Sequence, residues 1–403
     1  MAPRWTGTDG ILPDKAGVQM SKNGKELLVY TGSFQPQYIT SVVMDMDIEG
    51  RGDGIYMYHF DEQSGVFSLA DNTYAIINPA RLCVNQAGNR IYAASDTSSF
   101  INWEAGSGGG LYAFERSKGD RLKQADRRSS CGSRAVDICC DADGQYVVVI
   151  NEGSLFCTTS FEKNQAGRYV PNVHWDEGCA VLFRTGATGF EKVCDRYVLS
   201  GGELAHPSEL RIDRDAYLYI GNRGNGTLAI LKLDRETEKL LPVTVVTVNG
   251  GPDGLALHPR LSLFYVSAES SGEIARYHFD KPGGSARLLQ KISEDGESHP
   301  GPLVVRGDAA VLYAFDRFLG EIKVYGLSEE GRPVLFQRMK GCLRGTGPSS
   351  RFHPVITPSA KWLLASDTLG DCLYAFPLAP DGSMGEPVIT EAPTPTGMLV
   401  IAE

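Results

Sequence analysis

The stretch Gly251–Lys291, "GPDGLALHPRLSLFYVSAESSGEIARYHFDKPGGSARLLQK", decides the fold. It holds four short runs rich in Val, Ile, Leu, Tyr and Phe, separated by Pro, Gly and Ser. Runs of that length between turn formers are strands of an antiparallel sheet. The same order returns along the chain. It recurs from His206 ("HPSELRIDRDAYLYIGNRGNGTLAILKLD"), from Gly301 ("GPLVVRGDAAVLYAFDRFLGEIKVYGL") and from Phe352 ("FHPVITPSAKWLLASDTLGDCLYAFPL"). Looser copies begin near Asn78 and Ala135.

Successive copies start 45 to 57 residues apart, except for one unit of 71 that carries an insertion. Four strands at that period are the pattern of a β-propeller blade. Six units are complete. An N-terminal fragment, "ELLVYTGSF…GIYMYHFDEQSGVFSLA", supplies three strands but no first one, and the terminal "PTGMLVIAE" supplies one strand with nothing after it. Together they predict a seventh blade, with both chain ends closing the ring and leaving no open edge. The expected fold class is therefore all-β, a seven-bladed propeller over residues 1–403, with an extension at 1–25 and insertions at 35–53, 98–108 and 154–178. No run of helical period separates the strands, as an α/β chain would require.

The start of strand one and the end of strand two share the face around the central channel. Strand-one starts bring Asn78, Arg81, Arg134, Asp137, His206, Glu209, Asp253, His299, Arg351 and His353 to this rim, and strand-two ends bring Phe34, Asp96, Asn151, Glu152, Asn222, Arg223, Glu269, Asp316, Arg317 and Asp367. The three insertions leave from the same face and carry aromatic residues, among them Trp103 and Trp175. Long loops within a compact domain tend to be lids. Apolar groups over a polar rim predict a small-molecule pocket.

Bulk composition removes other classes. The formal charge is −10 with no basic run, which argues against a nucleic-acid partner and weakens a preference for strongly anionic ligands. No apolar run reaches membrane-spanning length, and no leader-like apolar segment opens the chain. Nine scattered cysteines without a C-x-x-C pair predict free thiols and a cytoplasmic, reducing location. The expectation is a monomer acting on a small molecule, without cofactor. No metal site is expected, because the three rim histidines each stand beside Pro at a strand start and have no tight ligand spacing.

With units such as "GPDGLALHP…LFYVSAE" and "LYAFDR…IKVY", nearly the whole chain resembles the lactonase-type seven-bladed propellers. That family includes bacterial 6-phosphogluconolactonases and fungal 3-carboxy-cis,cis-muconate lactonising enzymes. The resemblance implies catalytic roles for Glu269, after "FYVSA", and for Arg317, in "LYAFDR". It aligns His206 with the first histidine of a family "HPH" run, while the catalytic histidine position falls on Ser208. A family arginine is replaced by Asp253. Read locally, that exchange reverses the charge where an anion would bind. Together with the aromatic insertions it points to a less anionic, more apolar substrate. The expected function is ring closure, isomerisation or ring opening of a small apolar molecule; by analogy alone with propellers of this kind recruited as cyclases in fungal natural-product pathways, it is placed in secondary metabolism and includes cyclisation of the hetero-Diels–Alder type. A lactonase or lactonising enzyme, and a non-catalytic binding propeller, are the alternatives.

Overall fold

The computed structural model describes residues 26–35, 50–74, 76–97, 108–116, 121–153, 157–201, 205–293, 298–347 and 350–402. Seven four-stranded antiparallel sheets form a ring of blades. Blade 1 combines β1 (Glu26–Ser33), β2 (Ile55–Asp61) and β3 (Val66–Tyr74) with the C-terminal β30 (Pro395–Ala402), which lies innermost beside β1. This is the ring closure that the two sequence fragments imply. The innermost strands of blades 2 to 7 are β4 (Pro79–Val84), β8 (Ala135–Cys140), β14 (Pro207–Ile212), β18 (Pro252–Leu257), β22 (Pro300–Val305) and β26 (Phe352–Ile356).

The core is divided. Seven apolar clusters lie one at each junction between neighbouring blades. Strand alternation explains how one blade feeds two of them. In β19 (Leu263–Ala268), Phe264 and Val266 join the cluster shared with blade 4, while Tyr265 joins the one shared with blade 6. Both faces of the inner strands are thus covered, so β19 is buried along its whole length and reads as a continuous apolar run. The outermost β21 (Ser285–Ser293) has one neighbour fewer and is mostly exposed or half-buried.

The insertion at 154–178 departs from expectation. Instead of an irregular lid, it forms a two-stranded hairpin of β10 (Cys157–Lys163) and β11 (Tyr169–Trp175) around the Asn164–Gly167 turn. Phe161 and Tyr169 in it are 65% and 67% exposed, so these rings face solvent and not a pocket. Trp175 is the last residue of β11, paired with Cys157; its side chain lies outside the described residues. Trp103 and the insertions at 36–49 and 98–107 also lie outside them.

Candidate functional site

Two repeated backbone features aim side chains into the channel mouth. The first is a bulge near the start of strand one. In blades 2 to 5 the ladder skips one residue between Pro79 and Arg81, Ala135 and Asp137, Pro207 and Glu209, and Pro252 and Gly254. A bulge leaves its extra residue unpaired and redirects it. The skipped residues, Ala80, Val136, Ser208 and Asp253, all line one pocket, as does Pro302 in the wider skip of blade 6. Of these five, Asp253 alone is charged.

The second feature is the residue just past the first rung of strand two. Its N–H bonds the carbonyl before strand one at Phe34, Asp96, Glu152, Arg223, Arg317 and Thr368, in six of the seven blades. Glu269 holds this place in blade 5. There the bond is displaced: Ser270 N–H reaches the Gly250 carbonyl at 3.4 Å, and Glu269 opens a 3-10 turn, Glu269–Ser271. The preceding residue is also different. Blades 3, 4, 6 and 7 carry Asn151, Asn222, Asp316 and Asp367, where blade 5 has Ala268. Glu269 is therefore carried on a turn of its own and has no polar anchor behind it.

Six arginines (Arg81, Arg134, Arg211, Arg223, Arg317, Arg351) and six acids (Asp96, Asp137, Glu152, Glu209, Asp253, Glu269) from blades 2 to 7 converge here. Arg81 Nη2 lies 3.0 Å from Glu209 Oε1 and its Nε 3.6 Å from Asp137 Oδ1. Arg211 bridges the same two acids, at 2.8 Å to Glu209 Oε2 and 3.4 Å to Asp137 Oδ2. Arg134 grips Asp96 with two N–H groups, at 3.1 and 3.3 Å, and reaches Glu152 at 2.8 Å. These bonds hold Arg134 at φ +61°, a left-handed conformation that glycine, as at Gly251 with φ +76°, adopts without strain.

Asp253 is almost fully buried and is flanked by two guanidiniums, Arg317 Nη2 at 2.7 Å and Arg223 Nη1 at 3.5 Å. The same two arginines stand 3.9 and 4.0 Å from Glu269 Oε2. The charge reversal read from sequence at Asp253 is thus neutralised by blades 4 and 6. Glu269 keeps looser partners, and burial together with the Asp253 charge raises its pKa above the ordinary carboxylate range. Burial also raises Glu209, against the pull of Arg211 and Arg81. Glu152 behaves in the opposite way: burial pushes it up, but Arg134, Arg351 and Arg223 outweigh this and leave it lowered.

Hydrogen-bonding capacity is left over. Arg317 Nε and His353 Nδ1 are buried without a hydrogen-bond partner among the described residues. Arg351 lines the pocket, yet its guanidinium makes no ion pair or hydrogen bond with the described residues. Burial lowers its pKa, opposed by Asp96 and Glu152. Burial and then the surrounding arginines, Arg81 first, hold His353 well below the usual imidazole range, so it is neutral at physiological pH.

Among the residues expected from sequence, Phe34, Glu209, Arg223, Asp253, Arg317, Arg351 and His353 line this pocket, and Glu269 sits at its edge against two of them. Asn222 and Asp316 do not. Both occupy the first rung and are consumed by the fold: Asn222 accepts the His206 N–H, and Asp316 accepts from Ser298, His299, Phe318 and Leu319. His206 packs with Nδ1 3.4 Å from the Glu152 carbonyl, and the His299 ring lies 4.0 Å from that of Phe318. The sequence reading put Arg81, Arg134 and Glu152 on the rim without giving them a catalytic or binding role, and it did not include Arg211. Their signal was a charge beside a strand end in each blade, but their convergence is visible only in the ring. Among the described residues no group of His, Cys, Asp and Glu is arranged to hold a metal ion.

Fold and site together define a seven-bladed propeller with a charge-dense pocket at one mouth of its channel. Residues 36–168, 184–294 and 231–398 match the family model described as lactonase, 7-bladed β-propeller, and the chain belongs to that family. No curated protein matches the sequence. Among solved structures, a candidate 6-phosphogluconolactonase of Bacteroides fragilis is similar over 95% of this chain and 100% of its own, with 16% identity and a TM-score of 0.72. The periplasmic gluconolactonase of Pseudomonas aeruginosa is similar over 94% and 99%, also with 16% identity and a TM-score of 0.72. A dihydro-haem d1 dehydrogenase is similar over 94% and 76%, with 12% identity and a TM-score of 0.53. Likeness at this identity concerns the fold alone.

Proposed function

We propose that this propeller is a lactonase, opening the ring of a small polar lactone at the channel mouth. Water adds to the ring carbonyl carbon, the ring C–O bond breaks, and the ring oxygen takes up a proton, giving a hydroxy acid. Glu269 is the proposed base for the attacking water. Its raised pKa and its lack of a close ion pair suit it to exchange a proton. The unpartnered Arg317 Nε–H and the Arg351 guanidinium are the proposed donors to the oxygen on which negative charge develops. The observation that carries this reading is the pairing of spare donors in the pocket with a raised carboxylate at its edge. Family membership and the two gluconolactonase-type neighbours favour it over the ring-closing reading. The cyclisation reading rested on the aromatic insertions, on the charge reversal at Asp253 and on analogy with propellers that serve as cyclases. Seven of the fifteen residues that line the described pocket are instead charged, and Asp253 is neutralised. The cytoplasm remains the proposed location, in keeping with eight free cysteines among the described residues.

The test is acid release, followed in a pH-stat, from a panel of sugar and alkyl lactones with purified protein and with Glu269→Gln. One removed general base is expected to lower kcat by about 100-fold or more. Hydrolysis no faster than in buffer across the panel, or full activity in the Gln variant, rejects the reading.

A further inference from the structure

We propose that Cys83 and Cys140 form a reversible disulfide that staples blade 2 to blade 3 along the channel wall. The two cysteines lie on β4 and β8, the innermost strands of adjacent blades, which pack side by side. Their sulfurs are 3.2 Å apart, although the residues are 57 positions apart in sequence. A disulfide needs about 2.05 Å, so closure requires a sulfur displacement of only about 1.2 Å, shared between two side-chain rotations. Both residues are partly and not fully buried, and both pack on the apolar cluster between these blades.

The neighbouring Cys139 is directed elsewhere, packing on the cluster between blades 3 and 4. Alternation along β8 therefore assigns one cysteine of the adjacent pair to each side of the blade, and only Cys140 meets Cys83. In the reduced state, burial and then the hydrogen bond with Cys140 hold Cys83 as a thiol. The staple lies beside the charged network: Arg81 is two residues before Cys83, and Asp137, which it contacts, is three before Cys140. The bond would fix the spacing of the two strands that carry this contact.

The chemistry balances with a small-molecule disulfide as oxidant. The two thiols give up two protons and two electrons, one S–S bond forms between them, and the oxidant's S–S bond is cleaved to two thiols. The test incubates the full chain in reduced and in oxidised glutathione, blocks free thiols, and maps the cysteines by proteolysis and mass spectrometry without reductant. A Cys83–Cys140 cross-linked peptide is expected only under oxidation. It should accompany a rise in Tm of about 3–6 °C that is absent in Cys83→Ser and in Cys140→Ser. Full alkylation of both thiols after oxidation, glutathione carried on each separately, or a bond to Cys139 instead overturns the proposal. The mapping on the unaltered chain stands even if a Ser variant folds poorly.

Discussion

Replacing Asp253 by Asn tests whether the Arg223–Asp253–Arg317–Glu269 cluster works as one electrostatic unit. Asn keeps the shape and removes the charge. Arg317 then loses its 2.7 Å partner and Arg223 its 3.5 Å partner, and both are left with Glu269 at 3.9 to 4.0 Å. Breaking a buried pair from one side costs about 3–5 kcal/mol. The Asn carbonyl can still accept one hydrogen bond, so a loss of about 3 kcal/mol is expected, measured as a lower urea midpoint at unchanged m-value. A second effect has a definite sign. The Asp253 charge helps to raise Glu269, so its removal lowers the Glu269 pKa. The acid limb of the kcat/KM profile should therefore move to lower pH, and the variant should retain a larger share of its maximal rate in acid. A double-mutant cycle with Arg317→Met should show coupling of at least about 1 kcal/mol. Unchanged stability together with an acid limb that stays put or moves to higher pH would refute the reasoning.

Three further outcomes follow from the same geometry. Arg351→Met should leave stability within about 1 kcal/mol or improve it, because no hydrogen bond or close ion pair among the described residues is broken and Glu152 keeps Arg134 at 2.8 Å, while kcat/KM falls by about 10- to 100-fold if the guanidinium binds the reacting ester. His353 has a lowered pKa in the folded state, so below its unfolded value of about 6.5 the unfolded chain binds the extra proton. Stability is then complete above that pH and falls as pH drops below it, and His353→Gln should flatten this slope in Tm measured from pH 7.5 to 5. Gly254→Ala would place a Cβ 2.1 Å from the Gly301 carbonyl and 2.7 Å from Ser267 Oγ, which itself bonds both backbones. Backbone cannot yield as a side chain can, so a loss of about 3 kcal/mol is expected by calorimetry.

The fold was legible because a blade is a local object. Its four strands are consecutive in all but blade 1, which both chain ends share, and blade 3, which the inserted hairpin interrupts, so period and composition show it directly. Even the split first blade could be read, since three strands without a first and one strand without a sequel complete each other. The hairpin at 157–175 was missed because its alternating runs sit within a long insertion that breaks the period. Glu269 and Arg317 were read at strand ends, and the structure places them 3.9 Å apart at the channel mouth. Asn222 and Asp316 stand one residue earlier, on the first rung and outside the pocket lining, which the sequence does not mark.

Asp253 shows where sequence stops. Beside its own neighbours it is an acid where a cation was expected. In the ring it sits on a bulge, between an arginine 30 residues before it and another 64 after it. Likewise Arg81 meets Glu209 across 128 positions. The sequence alone determined the seven blades, their closure and the rim to which charged residues are delivered, because strand period and turn chemistry act over a few residues. Only the tertiary structure decided which of those charges neutralise each other and which stay available to a ligand. Coulomb energy depends on distance in space and on burial, and closing the ring sets both.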